Sequence, residues 1–161
     1  MVDANPDAGT DDDRFGFSER RLTGALRKLV PQPLARRGVT VDVQTDKQRY
    51  RPGESVEIDI EFQNRLPVPV ALATPSHRLW GWTVDDRLEA SDEPRYVPDS
   101  PGAFEFRARE QKQVSRTWDG RVEQADDRIR ESLAPGTYEI AAFVATANRR
   151  PRDVTTIEIA R

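Results

Sequence analysis

Strict alternation of apolar and acidic side chains over residues 56–62 constrains the fold of this chain more than any other feature. Val56, Ile58, Ile60 and Phe62 alternate there with Glu57, Asp59 and Glu61. Successive side chains of an extended strand point to opposite faces of a sheet, so one face of this segment is buried and the other is in water. Burial of a large apolar side chain contributes roughly 1.5–3 kcal/mol, and four of them commit the strand to one register. The segment is therefore predicted to be a half-buried strand of an antiparallel sheet.

The same alternation recurs from residue 38 to the end of the chain. Further strands are predicted over Val39–Val43, Val68–Leu72, Trp80–Val84, Phe104–Phe106, Val114–Trp118, Tyr138–Val144 and Thr155–Ile159. Turn-forming residues separate them at Arg51-Pro52-Gly53, Asp85-Asp86, Pro101-Gly102, Asp119-Gly120 and Pro135-Gly136. Between these strands, a helical turn is considered at one place, Arg121–Ser132. This pattern predicts an all-β domain, an antiparallel sandwich over residues 38–161. Its buried set is Ile58, Ile60, Phe62, Trp80, Trp82, Tyr138 and Ile140.

The first 37 residues have a different character. Five aspartates and no basic residue occupy the first 13 positions, which predicts a disordered acidic tail over residues 1–14. Residues 15–37 are predicted to be a short basic amphipathic helix, Ser18–Val30, and a linker that begins at Pro31. The helix carries Leu22, Leu26 and Leu29 on one face. Either this face rests on the sandwich while the arginines stay in water, or the basic flank of the helix lies on an anionic membrane or on nucleic acid.

Composition excludes several classes of protein. The chain has no Cys and one His, which excludes a disulfide scaffold and a thiolate or multi-His metal site. It has no run of 18 apolar residues for a membrane span. The single His77 follows Ser76 in a loop, and adjacency in sequence does not make a nucleophile and a base. No phosphate-binding, dinucleotide-binding or nucleophile-elbow motif is present. We therefore expect no catalytic residue, metal or cofactor.

The basic residues and the N-terminus give weaker predictions, which concern the source organism and the cellular compartment. The basic residues are 22 Arg and 3 Lys, and the formal net charge is -3. This bias is typical of a GC-rich genome and fits a salt-adapted prokaryote. The N-terminus lacks the basic and apolar regions of a signal peptide, so a cytoplasmic protein is expected. Nucleic acid is not the expected partner of the chain.

Two sets of motifs resemble known families. The run Thr45–Val56 resembles the strand-turn-strand opening of many bacterial and macroglobulin-type Ig-like domains, and Leu133–Tyr138 resembles the turn that holds a tyrosine corner in such folds. A longer stretch, Val39–Ala160, resembles the BsuPI-type intracellular proteinase inhibitors. The matching pieces are Phe62-Gln63-Asn64, Thr74–Asp86, Arg116–Gly120 and Ala134–Tyr138. This resemblance implies an Ig-like β-sandwich that inhibits a subtilisin-class serine protease. The second Trp-rich strand of that family is not evident in Arg87–Pro98.

The predicted function is a non-enzymatic, protein-binding Ig-like domain. Its predicted contact residues are Tyr96, Val97 and Pro98 in the Pro-rich loop Leu88–Pro101, because a stiff extended segment binds a cleft with little loss of conformational entropy. A second surface is the basic hairpin tip Asn148–Arg152, which either contacts an acidic partner or nucleic acid or is solvated. The alternative function is an adaptor or scaffold that residues 15–37 recruit to a membrane surface or an assembly.

Overall fold

The computed structural model describes residues 30–88, 99–123, 130–148 and 150–161. Within these ranges the chain forms one helix, α1 (Gln32–Gly38), and twelve strands. The strands are β1 (Val39–Thr45), β2 (Arg49–Tyr50), β3 (Val56–Asn64), β4 (Val70–Thr74), β5 (Trp80–Val84), β6 (Arg87–Leu88), β7 (Gly102–Phe106), β8 (Gln111–Trp118), β9 (Arg121–Glu123), β10 (Arg130–Ser132), β11 (Gly136–Val144) and β12 (Arg152–Ile159). The predicted acidic tail and the predicted helix up to Leu29 lie outside the described residues.

The strands form two larger and two smaller sheets. The order is β1-β3-β8 in a three-stranded sheet and β2-β12-β11-β5-β6 in a five-stranded sheet, while β4 pairs with β7 and β9 with β10. The pairs are antiparallel except for β2 with β12, which is parallel. The prediction of an all-β domain is therefore confirmed.

The alternation over residues 56–62 has the predicted consequence. Val56, Ile58, Ile60 and Phe62 are buried, whereas Glu57 and Asp59 are exposed. The Phe62 ring lies 5.8 Å from Trp80 and 5.3 Å from Phe104, measured between centroids. Trp82 and Trp118 meet edge to face at 6.0 Å. The contacts of Phe62 with Trp80 and of Trp82 with Trp118 join the three-stranded sheet to the five-stranded sheet, and the contact of Phe62 with Phe104 joins it to β7.

Two members of the predicted buried set are only half-buried. Trp80 begins β5, where its ring packs against Phe62 of the core and also lies 5.2 Å from the guanidinium of Arg116. Tyr138 keeps its hydroxyl at the surface, where it donates a hydrogen bond to the carbonyl of Ala134 at 2.8 Å. That bond confirms the predicted tyrosine corner.

Three boundaries differ from the sequence prediction. The linker predicted to begin at Pro31 is a helix, α1, because Pro33 occupies its first turn, where no backbone N–H is needed. The helical turn considered for Arg121–Ser132 is absent from the described residues there, which instead pair as β9 and β10 around buried Val122. β4 begins at Val70, and Val68 is left exposed before it.

A buried tyrosine fixes the turn between β1 and β2. The Tyr50 hydroxyl donates to the Asp46 carboxylate at 2.7 Å and accepts the Lys47 N–H at 3.0 Å. The hydrogen bond from Tyr50 lowers the pKa of Asp46. Burial, followed by the bond to Asp46, raises the pKa of Tyr50 to about 12.

Replacement of Tyr50 by phenylalanine is expected to lower the free energy of unfolding at pH 7 by about 1–3 kcal/mol, because it removes the acceptor of the Lys47 N–H and one of the two donors to the Asp46 carboxylate, which keeps the Glu57 N–H. The folded-state pKa of Tyr50 lies above its unfolded value, so this stabilisation is present below about pH 10 and is lost as the pH rises toward 12. Urea unfolding at pH 8, 10 and 11.5 should show the gap between the parent and Tyr50→Phe closing. A gap that stays constant across this range would contradict the assignment, and Tyr138→Phe serves as the control.

Candidate functional site: a groove along two strand edges

A groove of about 960 Å³ lies between β1 and the start of β12. One wall consists of Arg36 on α1 and residues 39–41 of β1. The other wall is formed by residues 150–154, which lead from the β11–β12 turn into β12. Thr83 and Phe143, two buried residues of the five-stranded sheet, also line it.

The side of β1 that faces away from β3 has an unpaired main chain at Val41. The Val43 N–H donates to the Asp153 carboxylate at 2.9 Å, so it points away from β3. Main-chain groups of an antiparallel strand point alternately to its two sides, so those of Val39 and Val41 share this direction. The Val39 N–H is taken by the carbonyl of Ala35 in α1. Among the described residues, the Val41 N–H and C=O have no main-chain or side-chain partner.

β12 presents a second open edge to the same groove. The Glu158 and Ala160 N–H groups donate to the carbonyls of Gln48 and Tyr50 at 2.8 Å, on the side of β12 away from β11. Main-chain groups alternate along a strand, so the N–H and C=O of Val154 point to the same side. β2 has two residues and pairs with β12 at Glu158 and Ile159, so it does not extend to Val154. The Val154 side chain is 39% exposed. The groove thus combines unpaired main-chain groups with an exposed apolar side chain.

The carboxylates and arginines of the groove differ in how they are paired. Arg152 donates to Glu139 at 2.7 Å and lies 3.6 Å from Asp86. Asp153 holds the Val43 N–H. Arg36 and Arg150 form no ion pair with the described residues, and the Nε of Arg36 is buried without an acceptor.

The predicted basic tip forms part of this groove. Buried Thr146 donates its hydroxyl to the Arg150 carbonyl and accepts the Arg150 N–H at 3.1 Å, which fixes the turn between β11 and β12. The turn places exposed Arg150 at the rim. The basic tip predicted from the sequence is therefore one wall of the groove, whereas the other wall was not predicted. A signal for that wall existed in Arg36, whose segment was assigned to a linker.

The predicted contact residues Tyr96, Val97 and Pro98 lie outside the described residues. Ser76 and His77 are described: the Ser76 Oγ accepts the Arg78 N–H at 3.3 Å, and His77 is exposed. No three potential metal-ligating side chains gather within the described ranges. In those same ranges, no helix has the length and apolar character needed to cross a membrane.

Comparison with known proteins gives a family and several distant structural likenesses. A model described as a family of unknown function (DUF7974) matches residues 27–160. The chain is similar to the CARDB domain of the PF1109 protein from Pyrococcus furiosus, solved in complex with di-metal ions, with 13% identity, a TM-score of 0.46, and coverage of 76% of this chain and 92% of that one. It is similar to the sporulation control protein Spo0M from Bacillus subtilis, with 14% identity, a TM-score of 0.48, and coverage of 77% and 50%.

A third likeness is to the alkylpurine DNA glycosylase AlkC from Pseudomonas fluorescens, bound to DNA containing an abasic site analog. Its identity is 13% and its TM-score 0.48, and the match covers 77% of this chain and 31% of the glycosylase. No curated protein matches the chain. Likenesses at these TM-scores carry no conclusion about function. The matching family is also not the BsuPI-type inhibitor family that the motifs resemble.

Proposed function

Since the chain belongs to this family of unknown function, which its residues 27–160 match, we propose its function from the groove itself. The protein is a non-enzymatic binding module, an Ig-like sandwich whose layers are the three-stranded and five-stranded sheets. It holds an extended segment of a partner protein along the open edge of β1. The observation that carries this proposal is the unpaired main chain of Val41.

An extended segment of a partner binds an open strand edge by adding a strand to the sheet. Main-chain hydrogen bonds then supply affinity, and side-chain contacts supply specificity. On this edge of β1 the Val43 N–H is bonded to Asp153 and the Val39 N–H to the carbonyl of Ala35. Val41, between them, is the residue left to pair with an incoming segment. This single pairing residue fixes the register of the segment.

Two other strand edges of the domain are protected. The Gln32 side chain covers the edge of β4, donating to the Ala71 carbonyl at 2.8 Å and accepting the Ala73 N–H at 3.0 Å. On β8, Lys112 and Arg116 point inward over aromatic rings. Inward-pointing charges of this kind discourage pairing at an edge. On β1 the Asp153 side chain and α1 cover the positions of Val43 and Val39, and the main chain of Val41 between them has no such cover, which supports a binding role at that position.

Val41→Pro is expected to weaken strand addition by about tenfold or more, since proline removes the N–H that the partner's carbonyl would accept. The probes are three ten-residue peptides with valine at alternate positions and aspartate, asparagine or lysine between them. Binding is measured by fluorescence anisotropy, and the site is located by hydrogen exchange of the Val41 amide in the parent protein. Protection of this amide on binding is the expected result.

Gln113→Pro on the edge of β8 is the matched control, because its N–H also points away from β3 by the same alternation. It should bind the peptides as the parent does, and circular dichroism should show both variants folded. Equal binding by folded Val41→Pro and the parent would exclude the β1 edge as the site.

Two narrower proposals come from the sequence alone. Inhibition of a subtilisin-class serine protease is supported by the motif resemblance and would use the loop Leu88–Pro101 rather than the groove. Full protease activity in the presence of an equimolar amount of the chain would contradict it.

Recruitment through residues 15–37 is the adaptor alternative. Its described part, α1, buries Ala35 against the domain and leaves Leu34 exposed. Anionic liposomes that fail to sediment the chain would contradict that alternative.

A further inference from the structure

We infer that the groove selects an acidic extended segment, one whose carboxylates stand at alternate positions on either side of the residue that pairs with Val41. This inference rests on the proposed function and names the chemistry of the partner. It is carried by Arg36 and Arg150, the two arginines of the groove that have no ion-pair partner among the described residues.

The Nε–H donor of Arg36 has no hydrogen-bond acceptor among the described residues. Its side chain is half-buried, and its Nε is shielded from water with no hydrogen-bond partner. A buried donor without an acceptor is unfavourable and calls for an explanation. Because Ala35 beside it is fully buried, the backbone that carries Arg36 is anchored to the domain. A carboxylate entering the groove would give the guanidinium the acceptor it lacks.

The remaining charges of the groove leave Arg150 available as well. Arg152 is occupied by Glu139 and Asp86, and Asp153 by the Val43 N–H. Arg150 is exposed, and Thr146 holds its backbone in place. The carboxylates of the groove are therefore engaged within the domain, whereas two of its cations are not.

Strand geometry explains why the carboxylates should alternate. Side chains two residues apart on an extended segment point to the same face and stand about 7 Å apart. A segment paired with Val41 thus presents two carboxylates on one of its faces to a groove that has Arg36 on one wall and Arg150 on the other. Apolar side chains at the intervening positions turn to the other face of the added strand.

The three peptides described above test this inference. In 50 mM salt the aspartate peptide should bind at least about tenfold more tightly than the asparagine peptide, and the lysine peptide most weakly. The difference should shrink in 1 M salt, where charges are screened. The double variant Arg36→Gln with Arg150→Gln should bind the aspartate peptide no better than the asparagine peptide.

Arg37→Gln is the matched control. Arg37 follows Arg36 in the last turn of α1, is exposed, and does not line the groove. Arg36→Lys separates charge from geometry, because lysine keeps the charge and loses the Nε donor. Its affinity for the aspartate peptide should lie between those of the parent and Arg36→Gln.

Equal affinity for the aspartate and asparagine peptides, with Val41 still protected, would overturn the charge selection and leave the binding groove intact. Failure of all three peptides to protect Val41 would overturn the proposed function itself.

Discussion

Replacement of Asn64 by leucine is expected to lower the free energy of unfolding by about 3–5 kcal/mol. Asn64 ends β3 and is fully buried. Its amide donates to the carbonyls of Val68 and Arg107 at 2.9 and 2.8 Å, and its Oδ1 accepts the Leu66 N–H at 3.0 Å. Leucine keeps the volume but removes all three bonds made by the buried side chain, so the Val68 carbonyl and the Leu66 N–H lose this partner, while the Arg107 carbonyl keeps the Glu110 N–H at 3.2 Å. Urea unfolding followed by tryptophan fluorescence measures the loss.

Two further variants identify the cause of this loss. Asn64→Asp keeps the shape and the acceptor but turns a carboxylate toward two carbonyl oxygens, so it should be at least as damaging as leucine. Gln63→Ala, one residue earlier and on the outer face, should change the free energy of unfolding by less than about 0.5 kcal/mol. A loss below about 1 kcal/mol for Asn64→Leu would show that solvent reaches these groups.

The strands of the domain were predictable because alternation is a local property of the sequence. Residues 56–62 show this most clearly, since each apolar position of β3 is buried. The chemistry of Asn64 was not predictable in the same way. Its motif was visible, but its carbonyl partners lie in two loops, and one of them is 43 residues away along the chain. Sequence spacing does not show which loops meet.

The groove was only half predictable for a related reason. Alternation tells which face of a strand is buried and does not tell which strand lies at an edge. Val41 reads like any other strand residue, and its unpaired main chain follows from the neighbours of β1 in the fold. Arg150 was found because a turn rich in arginine stands out in the sequence. Arg36 was missed because prolines at 31 and 33 were interpreted as the end of a helix, whereas they begin one.

The two tryptophans of β5 show where parity alone is insufficient. Trp80 and Trp82 share a face, and parity predicts equal burial. In the structure Trp82 is 2% exposed, whereas Trp80, which begins the strand, is half-buried even though Arg116 lies over its ring. Position along the strand, and not the face alone, decides burial. The two residues should therefore respond differently to truncation.

Trp82→Ala is expected to lower the free energy of unfolding by about 3–5 kcal/mol, because it removes a large buried ring and leaves a cavity. Trp82 pairs with Ala142 of β11 and meets Trp118 of β8 edge to face, so the loss affects both larger sheets at once. Trp80→Ala should lower the free energy of unfolding by clearly less, since its ring is partly solvated already.

Combining Trp82→Phe with Trp118→Phe in a double-mutant cycle should give a coupling of about 0.5–1.5 kcal/mol for the aromatic pair. Trp118→Phe alone also loses the bond from its indole N–H to the Arg121 carbonyl, 3.0 Å long, and the cycle removes that separate contribution. Equal losses for Trp80→Ala and Trp82→Ala would contradict the difference in burial between the two rings, and a coupling near zero would contradict the contact of Trp82 with Trp118.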